Sequence, residues 1–96
     1  MTMRFEWDPQ KDRINLGKHG ISFEQAKEVF EDPLHISLLD CRFSYFEERW
    51  ITIGRIGDFR IIVTANLFFD TDGEDVVRII SAREAGLNER KQYEEL

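Results

Sequence analysis

The stretch Arg49–Arg83, RWITIGRIGDFRIIVTANLFFDTDGEDVVRIISAR, decides the fold. Its apolar residues fall into three runs rich in Ile, Val and Thr: Arg49 to Arg55, Arg60 to Asn66 and Val76 to Ala82. Branched side chains sit well on a pleated, half-buried surface, so each run predicts a strand. Gly57-Asp58 has the composition of a two-residue hairpin turn, and Asp70 to Asp75 reads as an acidic turn. Two successive hairpins make a meander. In this register Arg55 faces Arg60, and the exit of the last strand, Ser81 and Arg83, arrives at the same end. Like charges directly opposite one another repel, so an anion is expected near these arginines. Arg49, by contrast, is about 20 Å from Arg55 along its strand at roughly 3.3 Å per residue. Arg78 is similarly far from Arg83 and, by alternation, is expected on the opposite face. Ion pairs with Glu47, Glu48, Glu74 or Asp75 account for these two.

Working outward, Arg4 to Trp7 forms a short first strand. Asp8-Pro9 supplies an N-cap followed by a proline at the first helical position, and the helix runs to Lys18-His19 before Gly20. Ser22 and Gln25 have capping-box spacing, so a second helix starts at once, with Phe23, Ala26 and Phe30 on its buried face. Asp32-Pro33 ends it, because a residue before proline avoids the helical region. Leu34 to Asp40 alternates as a half-buried strand does, and Gly86 to Leu96 returns to helical composition with Glu89 three residues after the glycine. The order β-α-α-β-β-β-β-α predicts an α+β fold. Its N-terminal helices and C-terminal helix lie on a small antiparallel sheet, within one domain spanning 1–96.

Composition sets the limits. The chain has 96 residues, 13 Lys and Arg against 19 Asp and Glu, a net charge of −6 and a pI near 4.9. It has no apolar run of membrane-spanning length, and Met1 to Trp7 lacks the apolar core of a signal peptide, so a cytoplasmic location is expected. One cysteine, Cys41, forms no internal disulfide and reads as an inert strand residue. The acidity excludes a protein that coats nucleic acid broadly. The acids concentrate, however, in the second helix, the 70–75 turn and the last helix. The arginines Arg55, Arg60 and Arg83 gather elsewhere, either neutralised by Asp58, Glu84 or a helix carboxylate, or serving as a phosphate site with Ser81 beside them. The two His and one Cys have no zinc spacing, and no phosphate-loop glycine pattern is present. No metal or cofactor is expected.

Several phrases resemble the BrnT family of type II toxins. They are Phe5-Glu6-Trp7-Asp8-Pro9, the run NLGKHGISF from Asn15 to Phe23, Ala26 through Val29-Phe30 to Asp32-Pro33, Glu47-Glu48-Arg49, Ile53-Gly54-Arg55, RIISAR from Arg78 to Arg83, and Glu89-Arg90 through Tyr93. The resemblance implies a RelE-like fold and a metal-independent ribonuclease that blocks translation. It also implies a BrnA-like antitoxin with a ribbon-helix-helix region, through which alone the pair touches operator DNA and represses its own operon.

Carried onto matching positions, the resemblance implies Lys18, His19, Arg55 and Arg83 as the catalytic set; the meander register adds Arg60 and Ser81 as RNA-binding neighbours. Cleavage without metal needs a base for the 2′-hydroxyl, cations for the phosphorane and an acid for the leaving oxygen. His19 has the intrinsic pKa for the base, although a His before Gly20 also suits a helix C-terminus. Lys18, Arg55 and Arg83 supply charge, and Tyr93 reads as an apolar anchor. The segment from Ala65 to Val77 departs from the family pattern by being acidic and carrying Phe68 and Phe69. The alternative is therefore a non-catalytic module that binds protein through that surface.

Overall fold

The structure is a computed structural model describing residues 3–40 and 48–95; Cys41, Glu47 and Leu96 lie outside them. Strand β1 (Met3–Glu6) leads into helix α1 (Pro9–His19). The Asp8 carboxylate accepts the Gln10 N–H at 2.9 Å, and Gly20, at φ 71°, donates its N–H to the Leu16 carbonyl. Helix α2 (Phe23–Ala26) opens on the reciprocal Ser22–Gln25 capping box and tightens into a 3-10 turn, Lys27–Glu31. Asp32 then leaves the turn extended, as the proline after it requires. Strands β2 (Ile36–Leu39), β3 (Trp50–Arg55), β4 (Ile61–Thr71) and β5 (Glu74–Glu84) follow, and helix α3 (Leu87–Glu94) closes the described chain.

The sheet order is β1-β5-β4-β3-β2. Strands β2 to β5 form the antiparallel meander expected from their sequence. Strand β1 joins the far edge parallel to β5, with Phe5 opposite Val77. Four residues carry no signal for the direction of their partner, and this pairing crosses most of the chain length.

Both hairpin turns differ from expectation. Ile56 donates to the Arg60 carbonyl at 3.0 Å and Phe59 donates to the Ile56 carbonyl at 2.9 Å, so the first loop is Gly57-Asp58-Phe59. Phe59 occupies the left-handed position at φ 72° that closes such a three-residue loop. Arg55 therefore faces Ile61, not Arg60. A slip of one residue moves a side chain to the other face, so Arg60 lies across the sheet from Arg55. In the second hairpin the strands continue to Thr71 and Glu74. The turn shrinks to Asp72-Gly73, both at positive φ, as a type I′ turn demands.

A bulge in β5 changes the facing of the arginines again. Ala65 pairs with Ser81 and Asn66 with Ile79, leaving Ile80 without a counterpart. Below the bulge Val77 and Ile79 face α1 and α2; above it Ser81 and Arg83 face α3. The extra residue also brings Arg78, which pairs with Leu67, to the same face as Arg83, against the alternation expected from an unbroken strand.

Each face carries its own core. On one, Ile21, Phe23, Ala26 and Val29 pack on Ile56, Ile62, Val77, Ile79 and Ala82, with Phe5, Trp7 and Phe30 at the margin. On the other, Tyr93 of α3 packs on Ile53, Ile61 and Val63. The 3-10 turn rides directly on β3: a Cβ at Gly54 would stand 2.8 Å from the Val29 carbonyl oxygen, so only glycine permits the approach. No helix among the described residues is long and apolar enough to cross a membrane.

The Phe59 backbone conformation suits glycine, and its ring is 82% exposed, so it loses little packing on removal. Replacing Phe59 with Gly is expected to raise unfolding stability by about 1 kcal/mol, read as a higher urea midpoint at unchanged slope.

Candidate active site

Asn15 is a poor helix former placed inside α1, and it is only 6% exposed. Strand β1 pairs with β5 only as far as Arg78, so the upper part of β5 presents an edge that needs partners. The Asn15 amide supplies them. Its Nδ2 donates to the carbonyls of Ala82 and Ile21, each at 2.9 Å, and its Oδ1 accepts the Ala82 N–H at 3.1 Å. One side chain thus imitates a strand peptide and fixes α1 against β5.

Lys18 and His19 stand three and four residues beyond Asn15, on the same side of the helix. They line a cavity of about 200 Å³ with Lys11, Ile14, Asn15, Ile80 and Ser81. Neither makes a hydrogen bond or ion pair among the described residues. At the end of the helix the Gly20 N–H donates to the Leu16 carbonyl.

Arg83 lies two residues beyond Ser81 on the same face. Its Nη1 and Nη2 donate to Glu89 Oε1 and Oε2 at 2.8 and 2.7 Å, and Nη1 also donates to the Glu84 carbonyl. The bonds to the Glu89 carboxylate hold the guanidinium even more firmly protonated than usual, outweighing partial burial. Glu89 Oε1 also accepts the Gly86 N–H at 2.7 Å, which starts α3. With side chains 44% and 25% exposed, the Arg83–Glu89 pair belongs with surface ion pairs, worth about 0–1 kcal/mol.

Arg55 lies two strands from β5, roughly 10 Å away laterally. Its guanidinium stands 5.8 Å from the Tyr93 ring centre, and with Leu34 and Glu94 the two border a separate cavity of about 270 Å³. Beneath it, Asp32 accepts from the Tyr93 hydroxyl at 2.5 Å, the Arg55 N–H at 2.8 Å and the Leu34 N–H at 2.9 Å. Burial pushes the Asp32 carboxyl up, but the three hydrogen bonds and the Arg55 charge together bring it below its ordinary value. Burial, then the bond to Asp32, raises Tyr93.

The six residues singled out from sequence therefore divide. Lys18, His19 and Ser81 line one cavity, while Arg83, two residues further along β5, is held by Glu89. Arg55 occupies a second position on the Arg83 face. Arg60 belongs to neither, since its Nε and Nη2 bind Asp58 at 2.8 and 2.7 Å on the opposite face. Arg78 pairs with Glu6 at 2.8 Å rather than with the acidic turn, where Arg4 meets Glu74 at 3.6 Å. Among the described residues, no three His, Cys, Asp or Glu side chains converge as metal ligands would.

The profile of the family described as ribonuclease toxin, BrnT, of type II toxin-antitoxin system matches residues 7–89, most of the chain. The chain belongs to the BrnT toxin family. The crystal structure of the Brucella abortus ribonuclease toxin BrnT superposes with a TM-score of 0.63 at 24% identity, covering 88% of this chain and 99% of that one. That likeness establishes a shared BrnT fold. No curated protein sequence matches the chain.

Asn15, Asp32 and Glu89 escaped the sequence reading as elements of the site. Asn15 did carry a signal, since a mid-helix Asn flanked by no cap position asks for a tertiary partner. Because the folded pKa of Asp32 lies below its free value of 3.8, its stabilisation is complete above that pH and is lost as pH falls through the folded value. Asp32→Asn is expected to flatten this acid limb in thermal melts. Tyr93→Phe is expected to cost about 1–2 kcal/mol at neutral pH.

Proposed function

We propose that this BrnT-family chain is a metal-independent, RelE-like endoribonuclease toxin whose cleavage site is the Lys18–His19–Ser81 cavity, served by Arg83 two residues further along β5. The observation that carries this reading is that Lys18 and His19, which make no hydrogen bond or ion pair among the described residues, share one cavity with Ser81, two residues from Arg83 on β5. His19 takes the proton of a 2′-hydroxyl, whose oxygen attacks the adjacent phosphorus. The P–O5′ bond breaks, leaving a 2′,3′-cyclic phosphate and a 5′-hydroxyl that receives a proton from Lys18 or water. Arg83 and Ser81 hold the non-bridging oxygens as negative charge grows there, and Arg55 steadies a neighbouring phosphate. Arg60 does not contribute, because Asp58 holds it on the other face.

Cleavage of messenger or ribosome-bound RNA would inhibit translation. The partner is a BrnA-like ribbon-helix-helix antitoxin that neutralises the toxin and carries the pair to operator DNA for autorepression. The acidic tip around Asp72 and the exposed Phe69 suit a basic partner of that kind. The alternative, a non-catalytic protein-binding module, would use the same face: Phe68 and Phe69 are equally exposed, although the Phe68 ring also meets Phe30 and Trp50 at ring separations of 6.3 and 5.7 Å.

Induced in bacteria, the chain is expected to arrest growth and fragment RNA; purified, it should cut RNA in excess EDTA to cyclic-phosphate ends. His19→Ala is expected to lower the rate about 10²–10⁴-fold, and Arg83→Ala about 10²–10³-fold. Normal growth with intact RNA on expression of the folded chain contradicts the proposal.

A further inference from the structure

The Arg83–Glu89 geometry is that of an occupied anion seat. Guanidinium offers two parallel N–H donors, and the fork accepts a carboxylate or a phosphate with the same geometry. In this chain both Glu89 oxygens fill that fork, at 2.8 and 2.7 Å. The pair is not buried, with 44% of the Arg83 and 25% of the Glu89 side chain exposed, so an incoming anion reaches it from solvent.

We propose that the Glu89 carboxylate is an internal stand-in for an RNA phosphodiester, and that RNA engages Arg83 by displacing it. This rests on the reading of Arg83 as a phosphate-binding residue and adds the group that competes for it. The local architecture makes the exchange inexpensive. Glu89 Oε1 is shared between Arg83 and the Gly86 N–H, the latter at 2.7 Å. When Arg83 turns to a phosphate, Glu89 retains its role at the start of α3. Tyr93, one turn further on, stays anchored on Ile53, Ile61 and Val63. The helix therefore remains in place while the arginine is released, at the cost of a solvent-accessible ion pair and the Arg83 bond to the Glu84 carbonyl. Glu89 also leaves a carboxylate beside the bound phosphate, so it lowers RNA affinity twice over, as competitor and as neighbouring like charge. A toxin with a net charge of −6 thereby rejects weakly held polyanions and retains those positioned well enough to displace Glu89.

Glu89→Gln separates the roles, because glutamine still accepts the Gly86 N–H at this capping position but carries no charge. Binding is measured with a fluorescent single-stranded 2′-O-methyl RNA oligonucleotide, whose phosphates are intact and which lacks the nucleophile needed for cleavage. Wild type, Glu89→Gln, Arg83→Gln and the double variant are compared, with circular dichroism melts confirming folding. Glu89→Gln is expected to bind about five-fold more tightly than wild type, in keeping with an exposed ion pair, and the gain should vanish in the Arg83→Gln background. A gain of equal size without Arg83 reports general charge and overturns the stand-in. So does the absence of any gain when Arg83→Gln weakens binding, a result that leaves Arg83 as a phosphate contact. If none of the four folded proteins binds, both this inference and the reading of Arg83 beneath it fall.

Discussion

The amide of Asn15 is the contact on which the site's arrangement depends. It completes the exposed edge of β5 at Ala82 and takes the Ile21 carbonyl in the same clasp. Three hydrogen bonds in a buried setting contribute of the order of 1 kcal/mol each, and leaving Ala82 unpaired would cost more than the bonds return. Their positional effect matters as much as their energy. Fixing Asn15 against Ala82 sets Lys18 and His19 next to Ser81. The β5 bulge at Ile80 then turns Ser81 and Arg83 toward α3 while keeping Val77 and Ile79 in the core under α1 and α2. A helix amide and an extra strand residue together build one polar corner on a largely apolar sheet.

Helix α3 is held differently. Eight residues of polar composition do not sustain a helix alone. Its attachment comes from Tyr93, through ring burial and the hydroxyl bond to Asp32, and from Glu89, which both starts the helix and holds Arg83. Asp32 is itself fixed by the 3-10 turn that Gly54 allows onto β3. The acidic residues of this protein therefore do two separate jobs. Those at the β4–β5 tip give the surface its charge, while Asp32, Asp58 and Glu89 position or occupy the arginines.

How much of this the sequence disclosed depends on how local the controlling interaction is. Caps at Asp8, Ser22 and Gly20, the helical face of Phe23 and Ala26, and the four-strand meander follow from neighbours a few residues apart, and all are legible. The family phrases around Lys18-His19 and Arg78–Arg83 likewise led to the BrnT fold that the structure displays. Register was less accessible. Gly57-Asp58 has the composition of a two-residue turn, but Phe59 takes a positive φ that a bulky residue rarely adopts, and that single residue decides the face of Arg60. The bulge at Ile80 left no mark in a run of isoleucines, which misdirected Arg78. The partner of Arg83 was visible only as one of several helix carboxylates, because choosing Glu89 requires the path of the chain after Glu84.

Under the proposed function, nucleic acid engages the corner where α1, β5 and the start of α3 meet, despite the acidity of the whole chain. Amide chemical-shift mapping during titration with uncleavable 2′-O-methyl RNA tests it most directly. The account predicts perturbations concentrated at Lys18, His19, residues 80–84 and 86–89, with a weaker set near Arg55. Perturbations confined to the Asp72-Gly73 tip or to the Asp58–Arg60 face, with the β5 corner silent, would contradict it.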